Sequence, residues 1–367
     1  MRRRGVPAHL AILAAAMAVL GLVACGQGPL AGSVQSPTGT ASSGSRTSAP
    51  PTSVSTPAPT GPLPTPTQRA SVFGRCRLPV EVSHTPDATP SGWLDVPGGS
   101  YAPDPVSMGV PDPTQGALTW DAAVGKWIPA VQAWVSPDGT RYVTAELEVV
   151  DARTGAIVHR IPIPNGPGYV VDYTVGYTDS AIYLSASGKN PPPGLWKVDT
   201  ASWKLTQIAS VDAYWKMADA SAVWGVYGGT TVKRMDPSTG KVTNVYTGGD
   251  AFPGDLVVAG LIASGAIVAV SREGFSGTEI LSILLVHPDG SVVHFDVPPA
   301  LQHATLWATF QDGPAVLFQV YYPLEPAGPP ASLHGWGLAA FDTEHGLQFL
   351  MTNVPPGMTP AGSCMSI

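Results

Sequence analysis

Two carboxylates stand close enough in the sequence to act together. Glu273 and Glu279 flank the glycine-bearing segment Gly274-Phe275-Ser276-Gly277-Thr278. Two carboxylates around such a segment could hold a cation or work as a general acid–base pair. An exposed hairpin loop is the alternative interpretation of the same residues.

Aromatic side chains form the second candidate group. Tyr321 and Tyr322 open a proline-rich segment that ends at Pro330, and Trp336 stands between two glycines. Long loops on one face of a fold commonly carry recognition, and tyrosine adds amphipathic contact area. We therefore take Tyr321, Tyr322, Trp336, Glu273 and Glu279 as candidate recognition residues, with an ordinary excursion between strands as the alternative.

The remaining tryptophans are predicted to pack in the core, because large apolar residues beside strand-like runs are usually buried. Trp93 and Trp336 have glycine neighbours and are predicted to be exposed. The predicted core tryptophans are Trp134, Trp196, Trp203, Trp224 and Trp307.

Sequence signatures of catalysis are absent. The chain has no Gly-x-Ser-x-Gly elbow, no His-Glu-x-x-His zinc motif, no phosphate-binding glycine loop and no EF-hand series. Its histidines are scattered and would need the fold to assemble them; they include His159, His287, His294, His303, His334 and His345. We assign no catalytic, cofactor-binding or metal-binding residue and predict no cofactor.

The amino-terminal residues predict export. Arg2-Arg3-Arg4 precedes an apolar run from Ala8 to Ala24, which is short for a membrane span but fits a secretion signal. Leu22-Val23-Ala24-Cys25 resembles the lipobox of bacterial lipoproteins, which implies cleavage after residue 24 and acylation of Cys25 with chains such as palmitate. The resemblance places the protein outside the cytoplasmic membrane, lipid-anchored on its outer side or in a periplasmic leaflet. An ordinary signal peptide or a single anchoring helix is the alternative.

Residues 25–71 are predicted to be a disordered tether. They consist almost entirely of Ser, Thr, Pro, Gly and Ala, a composition that buries too little apolar surface to offset the entropy of ordering. Proline-rich chain is extended at roughly 3.1 Å per residue, so the tether could reach on the order of 100 Å.

Cysteine usage predicts one disulfide. Besides Cys25, the chain contains only Cys76 and Cys364, at opposite ends of the predicted domain 72–367. An exported protein meets an oxidising compartment in which such bonds persist. We expect the two to pair, with two free thiols as the alternative.

Residues 72–367 predict an all-β domain of repeated units. Short apolar runs rich in Val, Thr, Tyr and Trp are separated by turns, without helical periodicity. Similar turn signals recur after 48, 37, 51 and 55 residues, beginning at Asp151, Asp199, Asp236, His287 and Asp342. A propeller blade of four antiparallel strands takes about 40–45 residues.

Two segments carry a resemblance to known propellers. Val149 to Pro164 resembles the repeat of YVTN-type propellers, and Trp134 to Tyr142, with Ser136-Pro137-Asp138-Gly139, resembles TolB-like and other WD40-like propellers. The resemblance implies a β-propeller, and it says more about fold than about function.

We count units at about 92–130, 131–165, 168–210, 211–250, 252–298 and 303–352, which predicts six blades, with seven as the alternative. In propellers the first and last strands commonly share a blade, and a Cys76–Cys364 bond would pin that closure. Two packed β-sandwiches are the competing architecture.

Charge restricts the partners. Residues 72–367 contain 14 basic and 26 acidic side chains, a net charge of −12, and no Lys or Arg follows Arg272. Nucleic acid is therefore excluded as an expected partner, because phosphate binding needs clustered bases. We expect a binding or scaffolding module for a protein or an envelope polymer. The alternatives are a propeller enzyme, such as a quinoprotein-like dehydrogenase or a lyase, and a solute-binding lipoprotein.

Overall fold

Strands dominate the computed structural model, and the predicted all-β class is confirmed. It describes residues 68–82, 90–110, 117–162, 171–186, 194–210, 213–248, 254–274, 277–302, 304–322, 335–355 and 357–367. The leader, Cys25 and the tether up to residue 67 lie outside them. Within the described ranges, the helical structure consists of three short 3-10 turns: Pro105–Gly109, Gln132–Trp134 and Pro299–Leu301. None of the helices in these ranges has the length and hydropathy of a membrane span.

Most strands belong to antiparallel groups of four that follow one another along the chain. The first sheet, here the terminal sheet, has the order β25-β1-β2-β3 and contains β1 (Cys76–Val82), β2 (Gly92–Val96), β3 (Tyr101–Pro103) and β25 (Met358–Pro360). A separate hairpin follows, formed by β4 (Thr119–Asp121) and β5 (Lys126–Ile128). Next come β6 (Arg141–Val143), β7 (Glu148–Asp151) and β8 (Ile157–Arg160), which Val135 joins through a single bridge to Tyr142.

Two further sheets have four strands in simple up-and-down order. One contains β9 (Val171–Tyr177), β10 (Ala181–Ala186), β11 (Gly194–Asp199) and β12 (Leu205–Ala209). The other contains β13 (Tyr214–Ala218), β14 (Val223–Tyr227), β15 (Thr231–Met235) and β16 (Val242–Thr247).

The remaining eight strands form one sheet with two halves. The first half contains β17 (Asp255–Ile262), β18 (Gly265–Gly274), β19 (Gly277–Val286) and β20 (Val292–Asp296). The second contains β21 (Thr305–Asp312), β22 (Ala315–Tyr322), β23 (Gly335–Asp342) and β24 (Gly346–Val354). The halves meet where Glu279 of β19 pairs with Thr305 of β21.

The repeated turn predicted from the sequence connects the third and fourth strands of successive groups. At the β7–β8 turn, the Asp151 carboxylate accepts hydrogen bonds from the Arg153 and Thr154 amides at 3.0 and 2.8 Å, and Gly155 adopts a positive φ of 74°. These bonds, led by that from the Thr154 amide, hold the pKa of Asp151 below its ordinary value. Asp199 and Asp236 cap the equivalent turns in the same way.

The core consists of apolar clusters that each join two neighbouring sheets. For example, Tyr183 of β10 packs with Trp215 of β13 in one cluster, and Phe318 of β22 packs with Ile283 of β19 in another. The other clusters link β6–β8 to β9–β12, β13–β16 to β17–β20, β21–β24 to the terminal sheet, and the terminal sheet to the β4–β5 hairpin. The packing thus returns to the sheet where it began, which is a propeller-like arrangement rather than two stacked sandwiches.

The terminal sheet unites the two ends of the domain. β25 pairs antiparallel with β1, with Val80 opposite Pro360, and the predicted Cys76–Cys364 disulfide is present with a Cα–Cα distance of 5.6 Å. The Asp312 carboxylate accepts a hydrogen bond from the Cys364 amide at 2.8 Å. Burial raises the pKa of Asp312 despite that bond.

Two expectations about the amino-terminal part were wrong. The predicted unit 92–130 is not one sheet, because β2 and β3 belong to the terminal sheet whereas β4 and β5 form a hairpin of their own. Trp93 is only 7% exposed, since the hairpin brings Trp120 and Trp127 against it at centroid distances of 4.9 and 6.4 Å.

Candidate functional site

Three aromatic side chains gather on consecutive strands β21, β22 and β23; we call Trp307, Tyr321 and Trp336 the aromatic cluster. The Trp336 ring lies 6.0 Å from that of Trp307, with the planes 28° apart, and 5.0 Å from that of Tyr321. Trp307 is 38% exposed. The prediction that Trp307 packs in the core was therefore wrong. Tyr321 and Trp336 are both half-buried, and with Trp307 they form one group at the surface.

A charged pair lies in the same register row as two members of this cluster. Arg272 donates from Nε and Nη2 to Oε2 of Glu279 at 3.0 and 2.9 Å. Glu279 pairs with Thr305, Thr305 with Tyr321, and Tyr321 with Trp336. Directly opposed residues of neighbouring strands share one face of a sheet, so the ion pair, Tyr321 and Trp336 form one continuous row. Trp307 is opposite Gln319, outside this row, and reaches it through its ring contact with Trp336.

The row does not contain a pair of converging carboxylates. Glu279 is neutralised by Arg272, and the backbone of Glu273 pairs with Thr278, one position further along the hairpin. The side chains of Glu273 and Tyr322 lie outside the described residues. Tyr322 is the last residue of β22 and lies opposite Gly335, whereas Glu273 lies one position before the end of β18.

A cavity of about 610 Å³ lies at the other end of the strands. Its lining includes residues at or next to the end of the first strand in each successive group, such as Tyr177, Ala218, Ile262 and Gln311. β9, β13, β17 and β21 all end at this cavity, so the first residues of these strands lie at the opposite end of the fold. We call the cavity the axial cavity. We call the opposite end of the strands, which carries the aromatic cluster, the far rim.

The charged residues that line the axial cavity are Arg69, Asp121 and Asp219. The Asp219 Oδ1 atom is occupied by the Ser221 amide, the Ser221 hydroxyl and the Ala222 amide at 2.7 to 2.8 Å. Asp121 caps its own turn by accepting from the Ala123 amide at 2.7 Å. Both carboxylates therefore accept hydrogen bonds that stabilise turns at the cavity wall.

Two glutamines tie the cavity wall together. Gln311 Oε1 accepts from the Leu261 amide at 2.9 Å, and its Nε2 donates to the Leu261 carbonyl. The Gln132 side chain in turn contacts the Gln311 backbone, donating to its carbonyl at 2.6 Å and accepting from its amide at 2.9 Å. Each glutamine side chain thus makes the hydrogen bonds to backbone groups that a neighbouring strand would make in a continuous sheet.

The described histidines do not converge on the cavity. His159 stacks on Trp203 at 4.2 Å, His287 contacts the Ser264 carbonyl at 2.8 Å, and His345 contacts Asp342 at 3.0 Å. Among the described residues, no group of three His, Cys, Asp or Glu side chains could hold a metal ion. His303 and His334 lie outside these residues.

Fold and surfaces together define an all-β, propeller-like protein with an aromatic far rim and an axial cavity. Comparisons with known proteins add little to that description. No family model matches the chain, and no curated protein sequence matches it significantly.

Solved structures match only distantly. An oligogalacturonate lyase from Vibrio parahaemolyticus is 13% identical, with a TM-score of 0.40, over 77% of this chain and 81% of its own. Regucalcin from Agrobacterium tumefaciens, a calcium-binding protein, is 15% identical with a TM-score of 0.34, over 82% and 97% of the two chains. BamB from Moraxella catarrhalis is 14% identical with a TM-score of 0.29, over 64% of each. Matches this distant carry no argument about activity, and the propeller-like arrangement rests on the sheets and their packing.

Proposed function

We propose that this protein is a binding module that recognises a polymer of the cell envelope through its far rim. The observation that carries the proposal is the register row that joins Tyr321 and Trp336 to the Arg272–Glu279 ion pair, with the Trp307 ring stacked on Trp336 beside that row. Aromatic rings bury a large area against the apolar faces of sugars at a small entropic cost. The ion pair offers hydrogen-bond partners for hydroxyl groups at the edge of the same row.

Co-sedimentation of the full exported chain with purified, insoluble cell-wall polymer tests this function. Replacement of Trp307 or Trp336 by Ala is expected to weaken binding at least about tenfold, the cost of losing a contact residue worth more than about 1.4 kcal/mol. Trp203→Ala is the matched control, because Trp203 is a half-buried ring in the turn between β11 and β12. Unchanged binding by both far-rim variants would refute the proposal and leave a protein partner as the function to test.

We also propose that the binding module is held outside the cytoplasmic membrane by a lipid on Cys25 and a tether that ends before residue 68. The tether ends there because Gln68 and Ala70 hydrogen-bond to Ser366 and Cys364 of the domain. A tether of this composition lets the domain reach polymer beyond the lipid surface while the acyl chains stay in the membrane. The support comes from the lipobox-like tetrad and the Ser/Thr/Pro-rich segment that follows it.

Six blades is the count that we propose for the domain. Six strand groups succeed one another around the packing circuit: the terminal sheet, Val135 with β6–β8, β9–β12, β13–β16, β17–β20 and β21–β24. A seventh blade reduced to the β4–β5 hairpin is the alternative. Sixfold pseudo-rotational symmetry in an experimental map would support six blades, and a separate sector for the hairpin would support seven.

The axial cavity favours a second candidate function, the capture of a small solute. Its volume of about 610 Å³ falls within the range of small-molecule sites. Thermal-shift screening against metals, redox cofactors and sugars tests it, because a ligand at about 100 times its Kd stabilises by roughly 2.7 kcal/mol. A hit abolished by Met217→Trp, which would fill the cavity, supports solute binding. A hit that survives this change places the ligand elsewhere.

A further inference from the structure

A second cleft lies between the sheets β13–β16 and β17–β20. Tyr214, the first residue of β13, and Tyr227, the last of β14, are 58% and 50% exposed. With the Gly228-Gly229 turn and Asp255 they line a cleft of about 590 Å³, here the tyrosine cleft.

The glycine turn shapes this cleft. Gly228 and Gly229 adopt positive φ angles of 57° and 70°. A Cβ atom on Gly229 would lie 2.3 Å from a carboxylate oxygen of Asp255, so a larger residue would displace the Asp255 side chain and also meet the strain of a positive φ. The Leu256 amide donates to the Gly229 carbonyl at 2.6 Å and fixes the turn against β17.

Cations accompany both tyrosine rings. Lys233 Nζ lies 4.2 Å from the centroid of Tyr227, and Lys216 Nζ lies 5.8 Å from that of Tyr214. Residues 213–248 contain four basic and two acidic side chains, although the domain as a whole has a net charge of −12. The sheet that forms one wall of the cleft is therefore a positive region of an acidic protein, whereas the other wall contributes Asp255 to the lining. The complement to an anionic ligand comes from the two lysines beside the tyrosine rings, which belong to a different sheet from Asp255.

The tyrosine cleft lies on the far rim, like the aromatic cluster. Ala218 and Asp219, at the end of β13, line the axial cavity, whereas Tyr214 begins that strand. Asp255 begins β17 and Thr305 begins β21, which places the cleft, the Arg272–Glu279 pair and the aromatic cluster along consecutive strand groups of one rim.

We propose that the tyrosine cleft is a second subsite for the envelope polymer and that it takes a sugar unit bearing a negative charge, as a carboxylate or a phosphate. The inference rests on the proposed function and adds the ligand's charge to it. The tyrosine rings stack on the sugar, and Lys216 and Lys233 neutralise its anionic group. Engagement of both subsites by one chain raises the apparent affinity through effective concentration.

The test combines charge variants with chemical editing of the polymer used above. Lys233→Gln, alone and with Lys216→Gln, is expected to weaken co-sedimentation about tenfold and to flatten its dependence on salt. Lys241→Gln is the matched control, since Lys241 lies in the same sheet but at the β15–β16 turn. Circular dichroism and the melting temperature confirm that each variant is folded.

Editing the polymer distinguishes the two anions. Carbodiimide activation and borohydride reduction remove carboxylates, whereas hydrofluoric acid removes phosphodiesters. The treatment that removes the relevant anion should lower binding by the wild-type protein about as much as Lys233→Gln does, and should no longer affect that variant.

Three results would overturn the inference. If the lysine variants bind as well as the wild type and Trp336→Ala binds more weakly, the proposed function is supported and the second subsite is refuted. If neither treatment of the polymer affects binding, the ligand unit is uncharged and the inference is wrong. If the wild-type chain binds no cell-wall polymer, the proposed function and the inference fall together.

Discussion

Gln311 supplies with its side chain the hydrogen bonds that a neighbouring strand would otherwise give to Leu261. Leu261 is only 9% exposed, so its amide and carbonyl depend on that side chain. We expect Gln311→Ala to lower the free energy of unfolding by about 1–3 kcal/mol, the cost of leaving buried polar groups unpaired. Urea titration measures it, and Gln348→Ala, at an exposed position, should change stability by less than about 0.5 kcal/mol.

Glu81 on β1 makes stability depend on pH. Burial raises its pKa from 4.5 to about 7, against a smaller opposing effect of a hydrogen bond with the Leu118 backbone. The folded state therefore binds more protons than the unfolded state between about pH 4.5 and 7, and this group's contribution to stability declines as pH rises through that window. Among the described residues, Glu81 Oε1 has no hydrogen-bond partner.

Glu81→Gln should remove this dependence. We expect the variant to gain about 3 kcal/mol relative to the wild type as pH rises from 4.5 to 7, because glutamine has no proton to lose. Guanidinium titrations at several pH values measure the difference. Glu146→Gln, in an exposed turn, is the control, and parallel curves for wild type and Glu81→Gln would show that Glu81 titrates normally.

Individual site residues were only partly predictable. Tyr321, Trp336 and Glu279 could be chosen because aromatic and acidic residues near glycine and proline stand out in a sequence. The role of Trp307 could not be predicted, because its exposure depends on where its strand lies in the sheet. Arg272 could not be predicted either, because the register of β18 and β19 is what places it opposite Glu279. Glu81 lies in an ordinary strand sequence, and only the packing around it shows that it is half-buried.

At the scale of elements, the terminal sheet depends on its covalent closure. Cys76 and Cys364 are 288 residues apart, and in the loop-entropy model a crosslink over such a span stabilises by about 6 kcal/mol. We expect the double Ser variant to unfold at lower denaturant concentration. A reductant should shift the wild-type transition in the same direction and leave the variant's unchanged, and equal stability with and without the bond would show that β25 and β1 hold the ring without it.

Strand groups were predicted well where a capped turn marks them. The units at 131–165, 168–210, 211–250 and 252–298 each contain one of the described strand groups, and 303–352 contains all but the last two residues of another, because turns capped by an aspartate carboxylate fix hairpins through local hydrogen bonds. The unit at 92–130 failed, since β1 and β25 pair over the whole length of the domain and leave no local signal. Long-range pairing is the part of a fold that short-range patterns cannot encode.

At the scale of the whole molecule, the proposed anchor predicts how the protein partitions. Cys25→Ala should move the protein from the detergent phase to the aqueous phase in a Triton X-114 separation, because the acyl chains would no longer be attached. The folded domain should be unaffected, with the same melting temperature. Retention of the variant in the detergent phase would indicate an anchoring helix instead of a lipid.

The disulfide also determines how the domain responds to mechanical load. An envelope polymer held on the far rim would pull the domain away from the tether, so tension first reaches residues 68–70, which pair with residues 364–366, and then β1. The bond at Cys76 passes that tension directly to Cys364, so force cannot peel β1 away and then unwind the sheets one after another. Under tension the oxidised domain should yield as a closed loop at high force, whereas the reduced domain should unravel from its amino-terminal edge at low force.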